Sequence, residues 1–168
     1  MNVFASSPSP VKSAQWLANA HVVKMVTESA QITSTALWLR GIGDGLPCKP
    51  THNGHPCTRA AAEDPAYFWW VLEHGFALGG EYEARYGRVH ASVLKLKRVQ
   101  QLTPFAKPEH GPNRFPLAMP EEHKGDDPHA AYRKYLRGKY AAWGQTKRPA
   151  VWHRVVEDNP FVSWTAAA

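Results

Sequence analysis

Four polar side chains share one face of a predicted helix, and three of them are of types that take part in acid–base chemistry. His21, Lys24, Glu28 and Gln31 stand at positions i, i+3, i+7 and i+10. At about 100° per residue they span about 80° of arc, where neighbours can shift one another's pKa values. The pattern predicts acid–base catalysis by His21 and Glu28, with an amine such as Lys24 as a nucleophile. The alternative is an ordinary Lys24–Glu28 ion pair beside a structural histidine.

A second cluster of potential ligands lies in the loop that follows this helix. Cys48, His52, His55 and Cys57 fall within ten residues. Sulfur and imidazole are the ligands that zinc prefers, so zinc held by His52, His55 and Cys57 is one interpretation. Structural zinc sites usually take their ligands from two separate knuckles, whereas these four are crowded into one loop. We therefore expect no cofactor, with His52 and His55 contacting substrate or capping the next helix.

The C-terminal part of the chain alternates cationic and aromatic side chains over residues 132–154. Lys and Arg neutralise phosphates, and Tyr and Trp stack on exposed bases. Together with Gln31, His52 and His55, the expected substrate contacts are Arg133, Arg137, Arg148 and Trp152. The alternative is a helix that buries its aromatic rings and leaves its charges in solvent.

The net charge of +6 is unevenly divided along the 168 residues. Residues 1–84 carry five basic and seven acidic side chains, whereas residues 85–168 carry fifteen basic and seven acidic ones. A basic half that is rich in aromatic residues favours a polyanionic partner, and DNA is the partner we expect. The candidate chemistry thus lies in the near-neutral half and the candidate DNA contacts in the basic half.

The chemistry-bearing residues of the first half must be positioned by a long helix. Ser9-Pro10 is a strong helix start, and the helical pattern runs to Arg40 with a bend or restart near Asn19. Gly41 ends it. One apolar stripe should face the core, formed by Ala18, Val22, Met25, Ile32 and Ala36.

The rest of the chain also reads as helical. Five prolines between residues 103 and 126 predict a long irregular loop, and loops of this kind are often functional. We expect an all-α, compact single-domain helical bundle over residues 1–160, with a C-terminal tail at 161–168. The further predicted helices are 58–63, 67–86, 89–102 and 128–143. Asp64-Pro65 and Asp127-Pro128 are cap-plus-proline helix starts, and the pair Gly79-Gly80 weakens the helical pattern of 67–86.

Location and assembly follow from what the sequence lacks. No apolar run approaches the length of a membrane span, and residues 1–5 have no signal-peptide pattern. Two cysteines do not make a disulfide framework. We expect a cytoplasmic monomer that does not bind membranes.

A family resemblance sharpens the functional expectation. The stretch Leu17-Ala18-Asn19-Ala20-His21, with Glu28 seven residues later, resembles the start of the pyrimidine-dimer DNA glycosylase/AP lyase family, the phage endonuclease V type. The Arg-Pro-x-x-Trp stretch at 148–152 loosely resembles the C-terminal end of that family. The His55-Pro56 segment looks like uncharacterised phage and bacterial proteins often grouped with it.

The resemblance implies a DNA-repair reaction through an amine Schiff base. In that family the N-terminal α-amine attacks C1′ of a damaged nucleotide, and the strand is then cut by β-elimination. Here the amine would belong to Met1, or to Asn2 after processing, and Lys24 is the alternative nucleophile. Two other functions stay open: an enzyme that modifies a base or nucleotide, with or without a metal, and a non-catalytic DNA-binding module.

Overall fold

The computed structural model describes residues 1–162 and contains helices connected by loops, with no strand in that range. The predicted all-α class is confirmed. The α-helices are α1 (Pro10–Gln15), α2 (Asn19–Leu39), α3 (Pro56–Glu63), α4 (Pro65–Tyr86), α5 (Ser92–Leu102) and α6 (Pro128–Gly144), with a short 3₁₀ turn at Glu121–His123.

Side-chain caps followed by proline set where most helices begin. Ser9, Asp64 and Asp127 each accept a hydrogen bond from a backbone N–H of the first helical turn. His55 does the same for α3, because its Nδ1 accepts from the backbone N–H of Cys57 at 3.2 Å. Helix α3 therefore begins two residues earlier than the sequence predicted. Proline costs nothing at these positions, since the first helical N–H has no partner within the helix.

Helix α2 packs against α3, α4 and α5, and α1 packs against α4. The predicted restart near Asn19 is confirmed, because α1 ends at Gln15 and α2 begins at Asn19. The predicted stripe of α2 is buried along its whole length, from Ala18 to Ala36. Its polar neighbours His21 and Glu28 are buried with it, as expected for residues at the border of an apolar face.

Helix α4 begins at Pro65 and continues unbroken through Gly79-Gly80, the pair that weakens its helical pattern in the sequence. At Gly79 an added Cβ would lie 2.6 Å from Cγ2 of Val93 in α5. At Gly75 it would lie 2.9 Å from Cβ of Ser29 in α2. Both glycines thus let neighbouring helices approach α4 closely, and this contact outweighs their poor helix propensity.

The N-terminal segment is buried between α2 and α6. Val3, Phe4 and Ala5 are almost fully buried. The Phe4 ring contacts Tyr132 and Tyr135 of α6, with ring centroids 6.3 and 6.2 Å apart. This burial keeps the first residues of the chain at the surface of α2 that carries Glu28.

A buried arginine ties α4 to the break between α1 and α2. Arg85 pairs with Glu81 at 3.0 Å and donates to the backbone carbonyls of Gln15 and Leu17 and to Oδ1 of Asn19. These acceptors satisfy the guanidinium, which a charged group needs when it is buried.

The C-terminal segment runs back to the same place. The backbone N–H of Asn19 donates to the carbonyl of Val151 at 2.8 Å, and the Trp152 indole donates to the carbonyl of Trp16 at 2.9 Å. Phe161, the first residue of the predicted tail, packs on Tyr140 with ring centroids 5.3 Å apart. Residues 163–168 lie outside the described residues. No helix within 1–162 has the length and apolar character to cross a membrane.

Candidate functional site

A cavity of about 210 Å³ lies where the N-terminal residues meet α2 and α6. Three of the predicted catalytic residues on α2 line it together with residue 1. Five further residues contribute to its wall. The complete lining is Met1, Asn2, Phe4, His21, Lys24, Met25, Glu28, Tyr135 and Lys139.

The Glu28 carboxylate is the central acceptor of this cavity. Its Oε2 accepts a hydrogen bond from the backbone N–H of Asn2 at 2.7 Å. Its Oε1 lies 3.2 Å from Nζ of Lys24 and 3.9 Å from the α-amine of Met1. The predicted Lys24–Glu28 pair is thus present, and the carboxylate also holds the first two residues of the chain.

The two amines beside Glu28 differ in exposure. The Lys24 side chain is 69% exposed, whereas the Met1 side chain is 3% exposed. Sδ of Met1 contacts Oγ1 of Thr58 at 3.9 Å, so the Met1 side chain is held against α3. The α-amine thus belongs to a residue with a buried side chain, whereas the Lys24 amine, although closer to Glu28, ends a side chain that is mostly exposed.

His21 is enclosed by aromatic rings. Its ring centroid lies 4.7 Å from that of Phe4 and 4.8 Å from that of Trp143. Its Nδ1 is 3.0 Å from the hydroxyl of Tyr140. Burial, followed by the charges of Lys139 and Lys24, lowers the pKa of His21 to about 3. The imidazole is neutral at physiological pH, and it is a weak general base.

The three residues of the zinc interpretation do not converge. His52 is exposed and its Nδ1 contacts the hydroxyl of Thr51, whereas the His55 ring caps α3. Cys57 is buried with its Sγ 3.9 Å from Oδ1 of Asn2, and burial raises its thiol pKa to about 11. Within residues 1–162 no three His, Cys, Asp or Glu side chains form a group able to hold a metal ion. Zinc stays an alternative interpretation of these residues, and no contact among the three supports it.

The pKa of His55 is lowered by burial and by the positive charge of the nearby N-terminal amine. The predicted capping role of His55 is confirmed by its bond to the Cys57 N–H. Gln31 is half-buried on α2 and lies outside the lining of the cavity.

The predicted nucleic-acid contacts of the C-terminal half fall into two groups. Arg133 donates to the carbonyl of Ser6 at 2.7 Å and lies 3.9 Å from Asp127, so its guanidinium serves the fold. Arg137 and Trp152 line a second cavity of about 410 Å³, and the side chain of Arg148 is exposed. The Arg137 and Arg148 side chains are exposed, whereas the Trp152 indole, like the Arg133 guanidinium, has a hydrogen bond within the fold.

Sequence reasoning missed the part of the cavity that α6 contributes. Lys139 and Tyr135 line it, and Nζ of Lys139 lies 5.5 Å from the Tyr135 ring centroid. Within residues 1–162 no carboxylate lies within 4.0 Å of the Lys139 amine. The basic–aromatic pattern of α6 was the available signal, but the pattern does not say which of its residues face α2.

The cavity thus brings an α-amine, a buried carboxylate, a neutral imidazole and two lysines within one small space. An arrangement of this kind can carry out nucleophilic and acid–base chemistry on an anionic substrate. Comparison of this chain with protein-family models, with curated proteins and with solved structures finds no match.

Proposed function

We propose that this protein is a DNA glycosylase with AP lyase activity, which acts on damaged or modified pyrimidines through a Schiff base on its N-terminal α-amine. The observation that carries the proposal is the position of the Met1 amine, 3.9 Å from the buried Glu28 carboxylate in a cavity that His21 also lines. The resemblance of residues 17–28 to the phage endonuclease V type is the second support.

An α-amine is a suitable nucleophile for this reaction. Its ordinary pKa lies near 7.7–8.0, so a useful fraction is neutral at physiological pH, unlike the amine of an ordinary lysine. The neutral amine attacks C1′ of the nucleotide, the bond from C1′ to the base breaks, and the base leaves with a proton. The sugar ring then opens as the bond between C1′ and O4′ breaks and O4′ takes up a proton, which leaves the sugar bound to the enzyme as an imine.

The strand is cut from that imine. Removal of a proton from C2′ expels the 3′ phosphate as the bond between C3′ and its oxygen breaks, and water then hydrolyses the imine and frees the amine. Glu28 is the group we assign to the proton transfers, since its carboxylate lies beside the amine. Neutral His21, held by Tyr140, is assigned to hydrogen bonding with the sugar rather than to carrying a proton.

DNA binding is assigned to the basic half of the chain. Arg137, Lys139 and Arg148 are cations of this half that form no ion pair within residues 1–162. Extrusion of a nucleotide costs a few kcal/mol and costs least at a lesion, which favours damaged sites. Lys24 and Lys139 at the cavity would then attract the phosphates that flank the extruded sugar.

Borohydride trapping tests the proposal directly. The protein is mixed with duplex DNA that contains one abasic site, and borohydride reduces any imine to a stable secondary amine. We expect a covalent adduct, with peptide mapping by mass spectrometry placing it on the amine of residue 1. The intact mass of the purified protein identifies whether that residue is Met1 or Asn2.

A Lys24→Arg variant separates the two candidate amines. Arginine keeps the positive charge beside Glu28 but cannot form the imine, so an adduct on the α-amine persists in K24R. If the wild-type adduct maps to residue 24 and K24R forms no adduct, the nucleophile is Lys24. Absence of any adduct with the wild-type protein would overturn the amine mechanism.

A non-catalytic DNA-binding module is the second candidate, and the Lys24–Glu28 contact favours it. The pair has the i,i+4 spacing of ordinary helical ion pairs, and its 3.2 Å separation needs no catalytic explanation. This function predicts DNA binding with no strand cleavage and no adduct. The trapping experiment therefore decides between the two.

A further inference from the structure

We infer that Asn2 is a positioning residue, which the Pro116–Ala118 segment of the proline-rich loop holds so that the α-amine stays against Glu28. This inference rests on the proposed function for its catalytic meaning, but its geometry can be tested without that reaction. The observation behind it is that a side chain next to the amine is bonded to a loop 116 residues away in sequence.

The Asn2 amide makes contacts in two directions. Its Nδ2 donates to the carbonyl of Ala118 at 2.7 Å. Its Oδ1 accepts from the backbone N–H of Val3, also at 2.7 Å. A side chain that donates on one side and accepts on the other fixes both its position and the direction of the backbone that carries it.

The receiving segment is itself held by a buried tyrosine. The Tyr132 hydroxyl donates to the carbonyl of Pro116 at 2.7 Å and accepts from the backbone N–H of Ala118 at 3.3 Å. Tyr132 is fully buried on α6, and its hydroxyl lies 3.5 Å from Oδ1 of Asn2. The segment therefore presents the Ala118 carbonyl at a place that α6 determines.

The main chain transmits this position to the amine. The backbone N–H of Asn2 donates to Oε2 of Glu28 at 2.7 Å, and the amine of the preceding residue lies 3.9 Å from Oε1. The α-amine belongs to the residue directly before Asn2. Any movement of the Asn2 backbone therefore also displaces the amine. Small displacements of a nucleophile are costly for the reaction rate.

We call this arrangement the clamp: the Asn2 side chain bonds to Ala118 while the Asn2 backbone N–H bonds to Glu28. Substitutions at residue 2 test it. Leucine in Asn2→Leu has a similar size but no polar atoms. Aspartate in Asn2→Asp keeps the acceptor for Val3, but when ionised it places an oxygen against the Ala118 carbonyl. Both variants therefore lose the donor to Ala118, and only Asn2→Asp keeps the acceptor for Val3. Intact masses confirm that all variants retain the same first residue.

The first measurement is the rate at which the α-amine reacts with acetic anhydride, read by mass spectrometry relative to exposed Lys95. We expect the amine of N2L to react about tenfold faster than that of wild type, because its contact with Glu28 loosens. The N2D amine should behave like that of N2L at pH 8, where the aspartate is ionised and cannot donate to Ala118. Equal rates in all three proteins would overturn the clamp.

A second variant leaves residue 2 unchanged. Tyr132→Phe keeps the aromatic ring but releases the Pro116–Ala118 segment, and we expect it to speed amine labelling as well. Tyr86→Phe, on α4 and remote from the cavity, is the matched control and should label like wild type. Faster labelling in N2L but an unchanged rate in Y132F would overturn the part assigned to the loop.

Trapping with abasic DNA supplies the catalytic readout. We expect N2L to lose about tenfold in trapping rate while its affinity for DNA stays within about twofold of wild type. An unchanged trapping rate in N2L would overturn the positioning role. If the wild-type protein forms no adduct at all, the proposed function fails, and the labelling rates alone then decide the clamp.

Discussion

Glu28 is the single residue on which the α-amine, the Lys24 amine and the Asn2 backbone meet. A Glu28→Gln substitution keeps an acceptor for the Asn2 N–H but removes the charge and the capacity to transfer a proton. We expect the rate of Schiff-base trapping to fall by about 10²–10⁴-fold, the usual contribution of a general acid–base group. Single-turnover trapping kinetics measure this change.

The control for that substitution is Glu63→Gln. Glu63 pairs with Arg59 on the surface of α3, four residues away, and takes no part in the cavity. E63Q should trap abasic DNA at the wild-type rate. Equal rates for E28Q and E63Q would show that Glu28 is a structural residue.

At the scale of helices, close approach to α4 predicts opposite effects for two similar substitutions. A Cβ at Gly75 would meet Ser29 at 2.9 Å and the two Leu96 methyl groups at 3.0 Å, whereas Gly80 has nothing within 4 Å. We expect Gly75→Ala to lower the free energy of unfolding by about 1–3 kcal/mol. Gly80→Ala should raise it by about 0.5–1 kcal/mol.

Urea denaturation followed by circular dichroism measures both changes. The two substitutions share the same helix and the same chemical change, so helix propensity alone would shift both in the stabilising direction. A stabilised G75A would mean that the contact among α2, α4 and α5 has room for a methyl group.

The helices were largely predictable because their start signals are local. Asp64-Pro65 and Asp127-Pro128 mark the beginnings of α4 and α6 in the sequence itself. The start of α5 was placed three residues early, at Val89, because the amphipathic pattern continues into a turn that is not helical. At this boundary Nδ1 of His90 accepts a hydrogen bond from the backbone N–H of Ser92 at 3.1 Å, a capping contact that periodicity does not contain.

The candidate site was predictable only where its residues share one helix. Helical spacing brought His21, Lys24 and Glu28 together, and these three do line one cavity. The contributions of Asn2 and Lys139 depend on long-range packing of the N-terminal segment and α6 on α2. Such contacts join residues more than a hundred positions apart, and no local pattern specifies them.

At the scale of the whole molecule, two buried histidines predict acid sensitivity. Burial lowers the pKa of His74 to about 3, and burial with Lys139 and Lys24 does the same for His21. In the unfolded chain both side chains take up a proton below about pH 6.5. Their contribution to stability is therefore complete above pH 6.5 and is lost progressively as the pH falls from 6.5 towards 3, by up to about 1.4 kcal/mol per pH unit for each histidine.

Substitution of one histidine isolates its share. His74 stacks on Trp70 and neither of its ring nitrogens has a hydrogen-bond partner, so His74→Leu removes the titrating group without orphaning a partner. We expect the slope of unfolding free energy against pH, between 6.5 and 4, to decrease in H74L. His52→Gln, at an exposed position, should keep the wild-type slope. Identical slopes for H74L and wild type would contradict the prediction.

The uneven distribution of charge predicts which cations respond to salt. Arg137 and Arg148 are exposed on the basic half, and each phosphate contact contributes about 0.9 to the slope of log affinity against log salt. Arg137→Ala with Arg148→Ala should reduce that slope by about 2. Fluorescence anisotropy with a short duplex at several salt concentrations measures it.

Two other arginines serve as comparisons for that double variant. Arg59 is an exposed cation of the first half, and its replacement by alanine should leave the slope unchanged. Arg133 donates to the Ser6 carbonyl, so Arg133→Ala should lower the free energy of unfolding. The slope of log affinity against log salt should stay close to that of the wild-type protein. An unchanged slope in the double variant would place the DNA contacts elsewhere on the surface.

The burial of the first residues against α6 also sets the order in which the site forms during synthesis. Phe4 and Asn2 contact Tyr132 and Ala118, which lie more than a hundred residues further along the chain. During synthesis these partners are made after α2, so Glu28 and Lys24 exist before the segment that closes the cavity. The wall that α6 contributes can therefore be added only after α6 itself has been synthesised.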